Sequence, residues 1–172
     1  MIYASAMKRA FPLATAVPLA AALALGACSA AAPATTGAVA VYQSLASPAT
    51  RVDGAAATDM LSAYRRQSGL GPLVADPELQ RLAEVEVARM AASDRTGQAD
   101  AVKFAATRAG FAEPGANLSA GYHTLAEAFS GWRDSPQHRA VMLDPGASRF
   151  GIATAYAPGS KYKVYWAMLT AR

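Results

Sequence analysis

The sequence predicts an α+β domain, and three observations carry that prediction. Apolar side chains recur at helical spacing from about residue 58 to residue 142. Strict alternation replaces that spacing between Phe150 and Tyr156. A second run rich in Tyr, Val and Trp, Tyr162 to Leu169, then follows an Ala157-Pro158-Gly159-Ser160 turn. Helices first and an antiparallel hairpin last is the pattern of segregated α and β elements.

The first helix is expected to start at an N-cap of Thr58 or Asp59. It turns Leu61 and Tyr64 inward and places Arg65 and Arg66 in its last turn, where cations complement the helix dipole. Gly69 ends it, and Leu70 suits the hydrophobic contact of a Schellman-type terminus. After a short extended link, Asp76-Pro77-Glu78 reads as N-cap, N1 proline and early acid. Leu79, Leu82, Ala83, Val87 and Met90 mark one face of a second helix that fades near Ser93. A shorter helix spans about Ala101 to Ala109 and is closed by Gly110. Thr124 and Glu127 form a T-x-x-E capping box ahead of Leu125, Phe129 and Trp132 at i, i+4 and i+7. Ser135-Pro136 starts a last short helix holding His138, Val141 and Met142, with Asp144-Pro145-Gly146 as its stop. Leu118 and its neighbours are the candidate for a further, central strand.

Upstream of the domain the chain reads as an export signal. Lys8 and Arg9 precede an uncharged apolar run, Phe11 to Ala27, that Pro12 and Pro18 interrupt. The run falls short of the roughly 20 apolar residues a spanning helix needs. Leu25-Gly26-Ala27-Cys28 resembles a bacterial lipobox, which implies cleavage before Cys28 and acylation of its thiol. A few acyl chains, at about 0.8 kcal/mol per buried methylene, anchor a protein without a span. The other reading is a soluble secreted protein cut at an Ala-x-Ala-type site. Cys28 is the only cysteine, so the domain has no disulfide. The expected organisation is a leader over residues 1–27, a lipidated Cys28 and disordered tether over 28–57, and a domain over 58–172. Ser29, not an aspartate, follows the anchor, and by analogy with lipoprotein sorting this points to the outer membrane. The formal charge of +4 loses Lys8 and Arg9 with the leader. A balance so close to neutral argues against a nucleic-acid partner.

The order L-x-x-Y-R-x-x-x-G-L-x-P-L (Leu61 to Leu73), D-P-x-L-x-x-x-A (from Asp76), G-x-N-L-x-x-G (Gly115 to Gly121), W-x-x-S-P-x-H-R-x-x-M-L-D-P (Trp132 to Pro145) and F-G-I-A ending in Y-W (Phe150 to Trp166) resembles the bacterial branch of the CAP superfamily, also called SCP or PR-1-like. The resemblance implies an α-β-α sandwich with helices on both sides of a small, mainly antiparallel sheet. It also implies a cleft which, in some members, binds a divalent metal through two histidines and two glutamates. His138 matches one histidine. The glutamate of the family's G-E-N triplet is replaced by Ala116 in Gly115-Ala116-Asn117, and no histidine lies between Ala91 and Phe111. Glu127 is the nearest candidate for the second glutamate.

These departures shape the functional expectation. A zinc site takes three or four protein ligands, and outside the anchor the chain has only His123 and His138 as nitrogen donors. No cofactor is expected, with zinc at His138 the sole metal candidate. His138 in the first turn of a capped helix is favoured in its neutral form, which suits a ligand, a base or a packed cleft histidine. His123 reads as a surface residue. Glu127 has a sufficient task as a capping partner, and Ser135 as an N-cap. Ser119, Ser130 and Ser135 resemble no nucleophile elbow. His138, Asn117, Ala116, Ser135, Arg139 and Trp132 are the expected lining of the cleft. Trp132, Tyr122, Tyr156, Tyr162, Tyr165 and Trp166 suit either a glycan or lipid groove or, more commonly, the core. The expected function is a non-enzymatic envelope module held to the membrane through Cys28, binding a protein, glycan or lipid. The alternatives are a hydrolase using His138 with Glu127, and a lipid or sterol carrier.

Overall fold

The computed structural model describes residues 36–172, so the expected leader, Cys28 and the start of the tether lie outside the described residues. Among the described residues there are six helices: α1 (Thr36–Val41), α2 (Gly54–Gln67), α3 (Pro77–Ser93), α4 (Ala99–Arg108), α5 (Leu125–Asp134) and α6 (Pro136–Met142). Four strands complete the domain: β1 (Val74–Ala75), β2 (Gly115–Ala120), β3 (Arg149–Tyr156) and β4 (Val164–Ala171). None of these helices is long and apolar enough to cross a membrane.

Helix α2 starts earlier than Thr58. Asp53 is its N-cap, with Oδ1 accepting from Ala55 N (2.9 Å) and Ala56 N (3.0 Å). Ala55, Ala56 and Ala57, which read as tether by composition, are strong helix formers, and Ala56 and Ala57 are buried. Thr58 lies one turn inside, where its hydroxyl donates to the Gly54 carbonyl at 2.7 Å. The described part of the expected disordered tether is likewise fixed to the domain. Leu45 is buried in the core, its N–H donates to the His123 carbonyl at 2.7 Å, and Val52 packs beside it. The Schellman end forms as expected: Gly69 has φ 74°, Leu70 N–H donates to the Arg65 carbonyl and Gly69 N–H to that of Arg66. Asp76 caps α3 through Glu78 N and Leu79 N, and Leu79, Leu82, Ala83, Val87 and Met90 are all buried.

The sheet runs in the order β1-β3-β4-β2, with β1 parallel to β3 and the other pairs antiparallel. The hairpin expected at the C-terminal end is β3–β4, and it occupies the centre. The strand around Leu118 exists as β2, but at an edge and not in the middle. Strand β4 explains the exchange, because every residue from Val164 to Ala171 is buried; a strand apolar on both faces belongs where both faces are covered.

Alternation along β3 and β4 feeds two cores. Phe150, Ile152, Val164, Trp166 and Met168 meet Leu61 of α2, Leu125 and Trp132 of α5 and Met142 of α6. Ala153, Tyr165, Ala167, Leu169 and Ala171 meet Leu79, Ala83, Val87 and Met90 of α3 and Val102 and Ala106 of α4. The result is an α-β-α sandwich in which each fully buried large apolar side chain contributes about 1.5–3 kcal/mol.

Candidate functional site

His138 is the third residue of α6, half-buried against β2. The backbone carries the contact: Asn117 Nδ2 donates to the His138 carbonyl at 2.9 Å. Asn117 is fully buried, and its Oδ1 has no hydrogen-bond partner among the described residues; the same holds for Thr170 Oγ1 on the neighbouring strand. Burial holds the His138 imidazole below its ordinary pKa. The neutral form expected from the sequence is therefore favoured, with desolvation as the cause.

The other expected members of the cleft do not converge on that ring. Ala116 points to the opposite face of the sheet, into the core under α3 and α4, because neighbouring strand residues face opposite ways. Asn117 and Ser119 face α5 and α6. Trp132 is buried, donates from Nε1 to Ser119 Oγ at 3.1 Å and stacks edge-on with Trp166 at 5.9 Å. It is a core residue, as are Tyr165 and Trp166. Ser135 stands at the N-cap position of α6, yet its side chain makes no capping bond, and its carbonyl accepts from Arg139 N at 2.8 Å. Arg139 is exposed and forms no ion pair among the described residues.

Glu127 is committed to the capping box. Its N–H donates to Thr124 Oγ1 at 3.2 Å and its Oε2 accepts from His123 N at 2.7 Å, so the carboxylate reaches one residue beyond the cap. His123 is exposed, as read from the sequence. Among the described residues no group of three or more His, Cys, Asp or Glu side chains is placed to hold a metal ion. His138 without a convergent carboxylate does not fit the three- or four-ligand set of a zinc site.

Two features escaped the sequence reading. Arg65 is almost fully buried, and its guanidinium binds four backbone carbonyls: Gly71 at 2.7 Å, Met142 at 2.9 Å, Asp144 at 2.9 Å and Ala147 at 3.0 Å. It ties α2 to both ends of the segment joining α6 to β3, so its role reaches well beyond the helix dipole. Its position four residues after Leu61, on the inward stripe, was the available signal. Glu86 is the second, buried on the apolar stripe of α3 and paired with Arg89 at 2.6 Å. Away from His138, a cleft of about 540 Å³ opens between α3, the outer edge of β3 and the segment before α2.

The profile of the cysteine-rich secretory protein family, CAP, matches residues 58–169. No curated protein sequence matches the chain. Among solved structures, an outer surface protein from Borrelia burgdorferi is similar at TM-score 0.60 and 14% identity, covering 72% of this chain and 97% of that one. A cysteine-rich secretory protein from Staphylococcus aureus is similar at TM-score 0.56 and 16% identity, covering 66% of this chain and 36% of that one. An extracellular protein containing an SCP domain from Bacillus anthracis is similar at TM-score 0.56 and 18% identity, covering 67% and 38%. The chain thus spans little more than a third of the length of the latter two. With a profile match over most of its length and the sandwich fold, the chain belongs to the CAP (cysteine-rich secretory protein) family.

Proposed function

We propose that this CAP protein is an exported envelope protein, lipid-anchored through Cys28 in the outer membrane, whose domain binds a partner and does not catalyse a reaction. The observation that carries the binding reading is the isolation of His138. A histidine general base needs a reacting proton within reach and usually a group that orients it. Glu127 is occupied with His123 N, the side chain of Ala116 lies on the far face, and Ser119 accepts the Trp132 indole. Export is supported by the lipobox-like Leu25-Gly26-Ala27-Cys28 and by similar proteins described as extracellular or outer-surface.

Two experiments test the two halves. Cys28→Ser is expected to release the full-length protein from membrane fractions; wild-type and variant protein that both stay bound in high salt and carbonate would refute the anchor. Full-length wild type and His138→Ala are expected to be equally inactive on ester and amide substrates of the envelope. Hydrolysis that disappears in His138→Ala overturns the binding reading.

A further inference from the structure

The cleft beside β3 contains an unpaired strand edge. Asp76 N–H donates to the Phe150 carbonyl at 2.8 Å, on the β1 side, whereas Ala157 N–H donates to the Lys163 carbonyl at 2.8 Å, toward the partner strand of the hairpin. Backbone groups of successive strand residues alternate in direction. Ile152, Thr154 and Tyr156 therefore point their N–H and C=O groups to the outer edge. Strand β1 pairs only with Arg149 and Phe150 and covers none of them. The Ile152 N–H is taken by Gln80 Oε1 at 3.0 Å, a side-chain carbonyl standing where a neighbouring strand would supply one. Among the described residues no bond reaches the outward groups of Thr154 or Tyr156.

The walls around this edge are chemically distinct. Glu84 and Val87 of α3 form one side, and Arg51 and Val52 the other. Glu84 is exposed and, among the described residues, accepts only from Gln80 Nε2, at 3.0 Å. Arg51 is exposed and donates to the carbonyls of Pro48 and Thr50, with no carboxylate partner among the described residues.

An open edge in a walled groove is a template for strand addition. We propose that this cleft binds an extended peptide segment of a partner protein, which adds as a short strand along Ile152 to Tyr156. At about 3.3 Å per residue, a segment of about five residues matches that edge. Its alternate side chains face the two walls. A basic residue among apolar ones suits the Glu84 wall, an acidic one suits the Arg51 wall, and proline is excluded wherever an N–H must bond. The inference rests on the binding reading and gives it a site and a ligand class.

The test uses the full-length chain and an array of proline-free random hexapeptides as the probe. Selected peptides are expected to carry a basic residue on the side chains facing Glu84 and an acidic one on those facing Arg51, and Glu84→Lys, an exposed change on a helix, is expected to replace the basic preference by an acidic one. The Thr154 and Tyr156 amides are expected to exchange rapidly in the free chain and at least about tenfold more slowly with a selected peptide. N-methylation at alternate peptide positions is expected to weaken binding about fivefold per lost bond. Four results overturn the proposal: no peptide selected, slow exchange of both amides in the free chain, indifference to N-methylation, or protection that rises with the protein's own concentration, which assigns the edge to a second copy. Hydrolysis dependent on His138 would instead defeat the wider reading, and is read in a separate assay.

Discussion

The two faces of the sheet differ most along β3. Toward α2, α5 and α6 the strands present Phe150, Ile152, Trp166 and Met168, and Trp132 fills the space between. Toward α3 and α4, β3 presents only Gly151 and Ala153 at its centre, and β4 interleaves Tyr165 and Leu169 with Ala167 and Ala171. The difference sets how closely a helix approaches. A Cβ placed on Gly151 would lie 2.3 Å from the backbone of Leu79 and of Gln80, so α3 rests almost directly on β3. That closeness brings Gln80 to the Ile152 N–H and leaves the cleft beside it. One face is spaced by side-chain volume along both strands, whereas on the other the small residues of β3 let α3 come close at Gly151.

The largest expected effect removes that volume. Trp132→Ala should cost about 3–5 kcal/mol by leaving a cavity, read by chemical denaturation; a loss under about 1 kcal/mol would mean the bulky face collapses around the gap. Arg65→Met, on the same side, should cost at least about 3 kcal/mol, because up to four carbonyls lose their donor in a buried setting. Arg65→Lys should recover only part of it, since an ammonium lacks the planar fork. Gly151→Val attacks the close-packed face and should cost about 1–3 kcal/mol by overpacking, with a shift of α3 visible in the amide spectrum of Leu79 and Gln80. Unchanged spectra would deny the close contact.

The smallest effect is a pH dependence. The His138 pKa is lowered in the folded state by burial, so its stabilising contribution is complete above the ordinary histidine range and is lost as pH falls through the folded pKa. Between pH 8 and pH 5 the wild type should lose slightly more stability than His138→Gln. Equal losses would place the ring in water.

Local signals carried most of the helical architecture. Asp76-Pro77, Thr124 with Glu127 and Gly69-Leu70 form the caps and termini that their residue types favour, because each needs only neighbours a few positions away. Asp53 is obscured as a cap in the sequence because the alanines after it match linker composition, although alanine is the strongest helix former. The site was far less legible. Asn117 is recognisable as part of a motif, but its bond to the His138 carbonyl joins residues 21 positions apart. Arg65 and Glu86 sit on inward stripes, and burial of a charge there was the one available hint.

The sequence by itself determined the class of fold, the hairpin and the alternation of its first strand, all of which follow from periodicity and short-range hydrogen bonding. Only the tertiary structure decided that the hairpin takes the centre of the sheet and that Ala116 and His138 lie on different faces. It alone decided that Arg65 finds four carbonyls and that β1 stops short of Thr154. These outcomes depend on which distant segments meet, and a buried donor or acceptor is satisfied by whatever group the packing brings to it.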